Sequence, residues 1–358
     1  MEVSKVRRRI IFISVLLIVS LLFVSGCQQN PAAVSEPEEE QTRTIVDMAG
    51  REVTLPKNIE RIITLGPVPV LNGITMAMGQ KDKIVNGLPD FAQSPRWKYQ
   101  TVFAPNIADK PVMQNSDQDP NIEEMLKADP DVVITMNSQS VDTLESNGIP
   151  VVFLSWKDPE DIKEAVKVLG EVFDNQKRAE EYVEYFDSTI SKVRDTVSKI
   201  PEEERVKVLY CSVERMVQPH HVAEWWIETA GGSSVTAGIE RTGNSLSFDF
   251  EQLLNWDPEI IIVCEPKGVS DIANDQRFSQ LKAVKNNQVF KAPHGAHIWT
   301  NRTIEQPLTV LWAAKTFYPE QFKDLDLNKE VKDFYKHFFD YELPPEEIEE
   351  IVSGDVGQ

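Results

Sequence analysis

Two segments of this chain repeat one another. One reads Asn-Ile-Glu-Glu-Met-Leu-Lys-Ala-Asp-Pro-Asp-Val-Val-Ile over 121–134, the other Asp-Phe-Glu-Gln-Leu-Leu-Asn-Trp-Asp-Pro-Glu-Ile-Ile-Ile over 249–262. Aligned, Glu123 falls on Glu251, Leu126 on Leu254, and Asp129-Pro130 on Asp257-Pro258. Each copy reads as a short helix, a turn marked by a proline that cannot continue the helix, and a β-branched apolar run typical of a buried parallel strand. A duplicated helix–turn–strand unit implies two similar lobes. A glutamate at the same point of each predicts two matching charges on one face of the molecule.

The rest of the chain fits a pair of α/β lobes. Residues 44–56 alternate around Met48-Ala49-Gly50-Arg51 and predict a hairpin. Strands are expected at 61–65, 83–87, 131–135 and 151–154, with helices at 70–78 and 141–146 and a long polar and aromatic loop over 88–120. Strands alternating with helices indicate a parallel sheet covered on both faces. The stretch 159–200 carries helical stripes, Ile162, Val166, Leu169 and Phe173, then Ala179, Val183, Phe186, Ile190, Val193 and Val197, broken at Asp174-Asn175. Its second helix, with about 25 residues, would be about 40 Å long and could run across both lobes. The βα pattern then restarts, with strands at 206–210, 233–236, 260–263 and 288–291 and a helix at 222–230. The tail is helical at 305–317, 329–339 and 345–352.

The first residues have a different character. Lys5 and Arg7 to Arg9 precede an apolar run and Val24-Ser25-Gly26-Cys27. That run is too short for a comfortable membrane span and reads as a signal peptide, 1–27. Residues 28–43 are polar, acidic and aperiodic, the composition of a disordered tether. The chain carries a formal charge of −20, and removing a leader of net +3 leaves the mature part near −23. Such a charge argues against nucleic acid and anionic lipid as partners. Cys211 and Cys264 each end an apolar strand, so an exported chain could bridge them or bury them as free thiols.

Taken together, several features resemble one family. They are Val-Ser-Gly-Cys, the acidic tether, the entry hairpin Asp-Met-Ala-Gly-Arg-Glu-Val, Pro-Lys-Asn-Ile-Glu-Arg-Ile-Ile-Thr-Leu, the paired Glu units and the bridging helix. The family comprises the substrate-binding lipoproteins of ABC importers for iron–siderophore, haem, cobalamin and related metal chelates, and the resemblance covers about 44 to the end of the chain. It implies two Rossmann-like lobes, 44–158 and 201–358, joined by linking helices over 159–200. It further implies lipidation at Cys27 and docking of Glu123 and Glu251 into arginine pockets of a permease that works with its ATPase. The protein would then be an extracytoplasmic, lipid-anchored monomer with no cofactor, its solute a metal complex. As a residue-level alternative, each glutamate is a first-turn acid favoured by the helix dipole.

Ligands of parallel sheets bind beyond the carboxyl ends of the strands, here in the cleft between lobes. The loops expected there are rich in aromatic and basic residues. Arg96, Trp97, Tyr99, Arg241, Trp299 and Arg302 are the candidate cleft residues, with four histidines in two clusters, His220/His221 and His294/His297. Aromatic faces suit planar or catecholate ligands, and arginine suits anionic chelates. The histidines could touch a metal, although their spacing matches no dedicated cage. Trp156 and Trp256 read as packing residues and His337 as surface. An iron–siderophore is the leading solute. Cobalamin, haem, a nickel chelate and molybdate or tungstate are alternatives, the oxyanions disfavoured by so aromatic a loop set. An exported hydrolase is the rival class. His221 and Glu224 could form a base–orienter pair, but no Gly-x-Ser-x-Gly, His-Glu-x-x-His or phosphate loop is present.

Overall fold

The computed structural model describes residues 41–357 except Thr242. Cys27, the leader 1–27 and nearly all of the tether 28–43 lie outside the described residues. Among the described residues no helix is long and apolar enough to cross a membrane.

The two lobes share one topology. In the first, the strands Ile62–Leu65, Val132–Thr135 and Val151–Phe153 form a parallel sheet in that order, and Ile84 bridges in parallel to the outer side of Ile62. In the second, Lys207–Cys211 lies between Ser233–Ser234 and Ile260–Val263, with Val289–Lys291 beyond, all parallel. Numbered by appearance within each lobe, both orders are 2-1-3-4. The crevice at the carboxyl ends of strands 1 and 3 is therefore the switch point in each lobe. Strand 3 of each lobe belongs to the repeated unit.

The repeat extends to backbone detail. The helices Ile122–Ala128 and Phe250–Trp256 are capped by Asn121 and Asp249, whose side chains accept from the backbone of Glu124 and Gln252. Both helices end on an aspartate in the left-handed region, Asp129 (φ 46°) and Asp257 (φ 40°). Met125 and Leu253, at matching positions, are buried.

One expected strand is not regular. Residues 83–87 pair through Ile84 alone, because Thr64 N donates to the side-chain Oδ1 of Asn86 at 2.8 Å in place of a backbone carbonyl. The 88–120 loop contains a short helix, Lys98–Phe103. The hairpin forms as Thr42–Val46 and Glu52–Pro56. The connector has two helices, Asp161–Val172 and Gln176–Val197, the latter of 22 residues and so about 33 Å long.

The helical tail spans the expected division. Reading 201–358 as one lobe assigned the tail to the second half, and it does pack there, with the Tyr318 hydroxyl donating to the Gly231 carbonyl at 2.7 Å and His294 N to the Ile351 carbonyl at 3.0 Å, but it packs on the first half and the connector as well. Phe103 meets Tyr335 and Phe339, each at 5.0 Å, Tyr182 meets Phe338 at 5.6 Å, and Lys81 Nζ donates to the Phe339 carbonyl at 2.9 Å. One apolar cluster accordingly runs from Ile62 and Leu71 through Tyr182 and Phe186 to Val208, Trp226 and Phe334. From Thr42 onward the chain is one compact unit. Tail helices show an apolar stripe in sequence, but not which lobe receives it.

The cysteine question is settled by the alternation of a strand. Cys211 packs with Leu209 and Ile261 on one face of the second sheet, Cys264 with Tyr210 and Ile262 on the other. Their backbones are bonded, Cys264 N to Cys211 O at 3.1 Å, but the thiols point apart and both are free and buried. Burial pushes both up, Cys264 to about 12. A Cys27→Ser protein is expected to melt at the same temperature with and without reductant, and to label with maleimide at Cys211 and Cys264 only once unfolded. A melting temperature that falls on reduction contradicts the arrangement.

Candidate solute-binding site between the lobes

The cleft loops are held from beneath by one buried carboxylate. Glu305, fully buried, accepts from Ala296 N (2.8 Å), His297 N (3.0 Å), Trp299 Nε1 (3.2 Å), Thr303 Oγ1 (2.6 Å) and the Tyr335 hydroxyl. Burial raises its pKa, while the donors from Thr303, Tyr335, His297 and Ala296 oppose that rise. Gly295 lies against this hub, where a Cβ would sit 1.7 Å from the Tyr335 hydroxyl and 2.1 Å from Glu305 Oε1, so no side chain fits. The five bonds fix the loop that carries His294, His297 and Arg302. Sequence reasoning missed Glu305, since an acid before a helix looks like an ordinary exposed first-turn residue.

On this loop the lobes meet. Arg96 comes from the first lobe. Its Nε donates to His294 Nδ1 at 3.3 Å and its Nη2 to the carbonyl of Cys264, at the carboxyl end of a central strand of the second sheet. Trp97 stands edge-on to both His294 (4.9 Å) and His297 (5.1 Å). Arg302 donates to the Trp156 carbonyl at 3.4 Å, and His221 Nε2 lies 2.9 Å from the Lys157 carbonyl, two more links across the cleft. His220 stacks on His221 at 4.6 Å and accepts at Nδ1 from Val222 N at 3.0 Å. Arg241 pairs with Glu224.

Two charges here have no bonded counter-ion, although Glu265 acts on Arg96 from farther off. Among the described residues, Arg96 and Arg302 form no ion pair, although both are half-buried and burial lowers the pKa of each. The imidazoles of His220, His294 and His297 are held neutral. Burial foremost, then Arg302, His221 and Arg241, takes His220 down to about 3. Burial takes His297 down to about 4, with Arg302 and Arg96 assisting against a hydrogen bond to Ile298 that raises it. Burial, Arg96 and His297 hold His294 well below its ordinary value.

The unpartnered buried atoms have a common sense. With Nδ1 accepting, a neutral ring carries its hydrogen on Nε2, so His220 Nε2 and His294 Nε2 are donors, and neither has an acceptor. Arg241 Nη1 and Trp156 Nε1 are buried donors without partners as well. Against these four stand Glu265 Oε1, an acceptor, and the Thr300 hydroxyl, which can serve either way. Buried donors are normally satisfied. An interface with two unpaired guanidiniums and several idle N–H groups is suited to an anion rich in acceptors.

Two expected cleft residues are corrected. Tyr99 is fully buried, stacked on Phe103 at 5.4 Å, and its hydroxyl donates to Glu350 at 2.9 Å. Trp299 is fully buried with its Nε1 on Glu305. Both support the site from behind. Trp156, read as packing, is buried but contributes its carbonyl to Arg302. No group of three or more His, Cys, Asp or Glu able to hold a metal occurs among the described residues. Glu123 and Glu251 lie outside the cleft, exposed on the paired helices. Glu123 is bonded to Lys127 at 2.8 Å. The base–orienter reading of His221 and Glu224 fails geometrically, since each is engaged elsewhere, on Lys157 and on Arg241.

Comparison with known proteins agrees with this layout. The family described as periplasmic binding protein matches residues 68–295. The molybdate-binding protein MolA of Haemophilus influenzae is 26% identical over 331 residues, 85% of this chain and 93% of its own length. The petrobactin-binding protein YclQ of Bacillus subtilis is 21% identical over 287 residues, 76% of this chain and 87% of its own. Among solved structures, a periplasmic solute-binding protein from Veillonella parvula superposes with a TM-score of 0.77 at 27% identity, covering 88% of this chain and 98% of that one. MolA bound to molybdate superposes with a TM-score of 0.73, covering 85% and 99%. These relatives are binding proteins, not enzymes.

A pH dependence follows from the neutral imidazoles. Unfolded, His220 and His297 protonate near pH 6.5; folded, they resist protonation until about 3 and about 4. The folded state is then the poorer proton binder, so their contribution to stability is present above pH 6.5 and lost as pH falls towards 4. The melting temperature of the unliganded protein should drop over that window, and a His220→Asn/His297→Asn variant should drop less steeply. Parallel profiles would show that these rings are not held neutral.

Proposed function

We propose a compact oxyanion as the solute of this chain, which belongs to the periplasmic binding protein family and serves as the solute-binding component of an ABC importer. What carries the reading is the pair Arg96 and Arg302, half-buried between the lobes without a bonded carboxylate, beside the idle N–H groups of His220, His294 and Trp156. Such donors match an oxyanion of the molybdate or tungstate class more closely than a bulky chelate. The aromatic loop composition that pointed to a siderophore loses weight with Tyr99 and Trp299 inside the core. A chelate is the second reading, favoured by Phe91, which is exposed and edge-on to Trp97 at 6.0 Å.

The protein would work extracytoplasmically as a monomer anchored through Cys27 and hand its solute to a permease with its ATPase. The steering and register of that contact would come from Glu123 and Glu251, one on each lobe.

Titration calorimetry with molybdate, tungstate, sulfate, a ferric catecholate siderophore, haem and cobalamin tests the solute. Molybdate or tungstate should bind most tightly. Arg96→Ala or Arg302→Ala should each weaken binding about 10- to 100-fold, as the loss of a charge-assisted bond worth about 1.5–3 kcal/mol requires. Tight binding of a chelate with no heat from any oxyanion overturns the proposal. Separately, Glu123→Ala with Glu251→Ala should abolish uptake and leave solute affinity unchanged. Transport that persists in the double variant removes the docking assignment.

A further inference from the structure

Five large apolar side chains are exposed among the described residues: Val46, Phe91, Leu126, Ile239 and Leu254. Two of the five occupy the same position of the repeated unit. Scattered exposed leucines are ordinary and need no explanation. A leucine that stays exposed in both copies, one place after a buried residue in each (Met125 and Leu253), is a different observation. It is 51% exposed in the first copy and 36% in the second.

Each leucine lies three residues after the glutamate of its helix, so acid and leucine share a helix face. The helices also agree in charge although their sequences differ. Ile122–Ala128 holds Glu123, Glu124 and Lys127, and Phe250–Trp256 holds Glu251 alone, a net single negative charge on each. In the first helix Lys127 bonds both acids, at 2.8 and 2.9 Å. Its counterpart in the second is Asn255. Two small acidic patches, each a glutamate beside an exposed leucine, sit at equivalent points of two lobes with equal topology. Two copies of this chain would bring acid against acid on such patches, so self-association is disfavoured. A partner with two matching halves, each offering a basic group, is complementary.

We propose that Leu126 and Leu254 are apolar anchors that seat beside Glu123 and Glu251 in two equivalent recesses of the permease, each recess joining a basic side chain to an apolar floor. This rests on the docking reading above and adds to it. The acids steer and set register, while the leucines bury apolar surface once contact is made and slow dissociation.

The test is docking of the unliganded full chain to its permease–ATPase in nanodiscs, measured by interferometry at two salt concentrations. Leu126→Ala with Leu254→Ala should weaken docking about tenfold or more, chiefly by faster dissociation, and leave the melting temperature unchanged. Leu126→Met with Leu254→Met should dock as the parent does. Glu123→Gln with Glu251→Gln should slow association and remove most of the salt dependence. If the leucine variant docks like the parent while the glutamine variant fails, the anchors are overturned and the docking reading stands. If neither pair alters docking, both fall. A parent that sediments as a dimer, with the leucine variant a monomer, overturns the proposal in favour of a second copy of this chain.

Discussion

A single carboxylate buried without a charged partner governs the middle of this molecule. Glu305 gathers two backbone amides, an indole and two hydroxyls, and in doing so sets the shape of the loop between Pro293 and Glu305. A carboxylate removed from water is costly unless its lone pairs are filled, and here five donors fill them. Tyr335, one of the five, comes from the tail, which ties the site to the far end of the chain. His294, His297 and Arg302 all depend on this hub for position, although none of them touches it by side chain.

Above the hub the electrostatics run the other way. Arg96, Arg302 and Arg241 surround rings that burial keeps neutral, and only Arg241 is bonded to a carboxylate, Glu265 acting on Arg96 at longer range. In an acidic protein this is a local reversal of sign, confined to the contact between lobes. Arg96 bonds the Cys264 carbonyl and Arg302 the Trp156 carbonyl, weak substitutes for an anion. An arriving solute would exchange these carbonyl contacts for charge-assisted ones, and the lobe-to-lobe links through Arg96, Arg302 and His221 would report its presence. The connector helix and the tail, packed on one another through Tyr182 and Phe338, would restrict that response to small motions.

Much of this was legible in the sequence, for physical reasons that differ by element. The repeated unit was legible because a helical period, an Asp-Pro turn and a β-branched run occur twice in the same order. Its left-handed aspartates and shared sheet order bear out the inference of two related lobes. The stretch 83–87 reads as a strand on its β-branched pair Ile84-Val85, yet Asn86 takes the ladder position with its side chain. Tyr99 and Trp299 were placed in the cleft because loop composition does not reveal which side of a loop faces the core. They lie two or three residues from Arg96, Trp97 and His297, whose side chains meet where the two lobes touch. Glu305 carried no sequence signal, since burial of one acid depends on five donors brought from separate segments. The opposed faces of Cys211 and Cys264 followed from register, which only the sheet supplies.

The central claim is that an anion sits between the lobes on Arg96 and Arg302. Anomalous diffraction at the molybdenum edge, from crystals grown with molybdate, tests it most directly. The account predicts one dominant peak in the cleft, its oxygens within hydrogen-bonding distance of both guanidiniums and of His220 or His294 Nε2. A cleft without a peak, Arg96 still on the Cys264 carbonyl and metal found only at surface lysines, would contradict it.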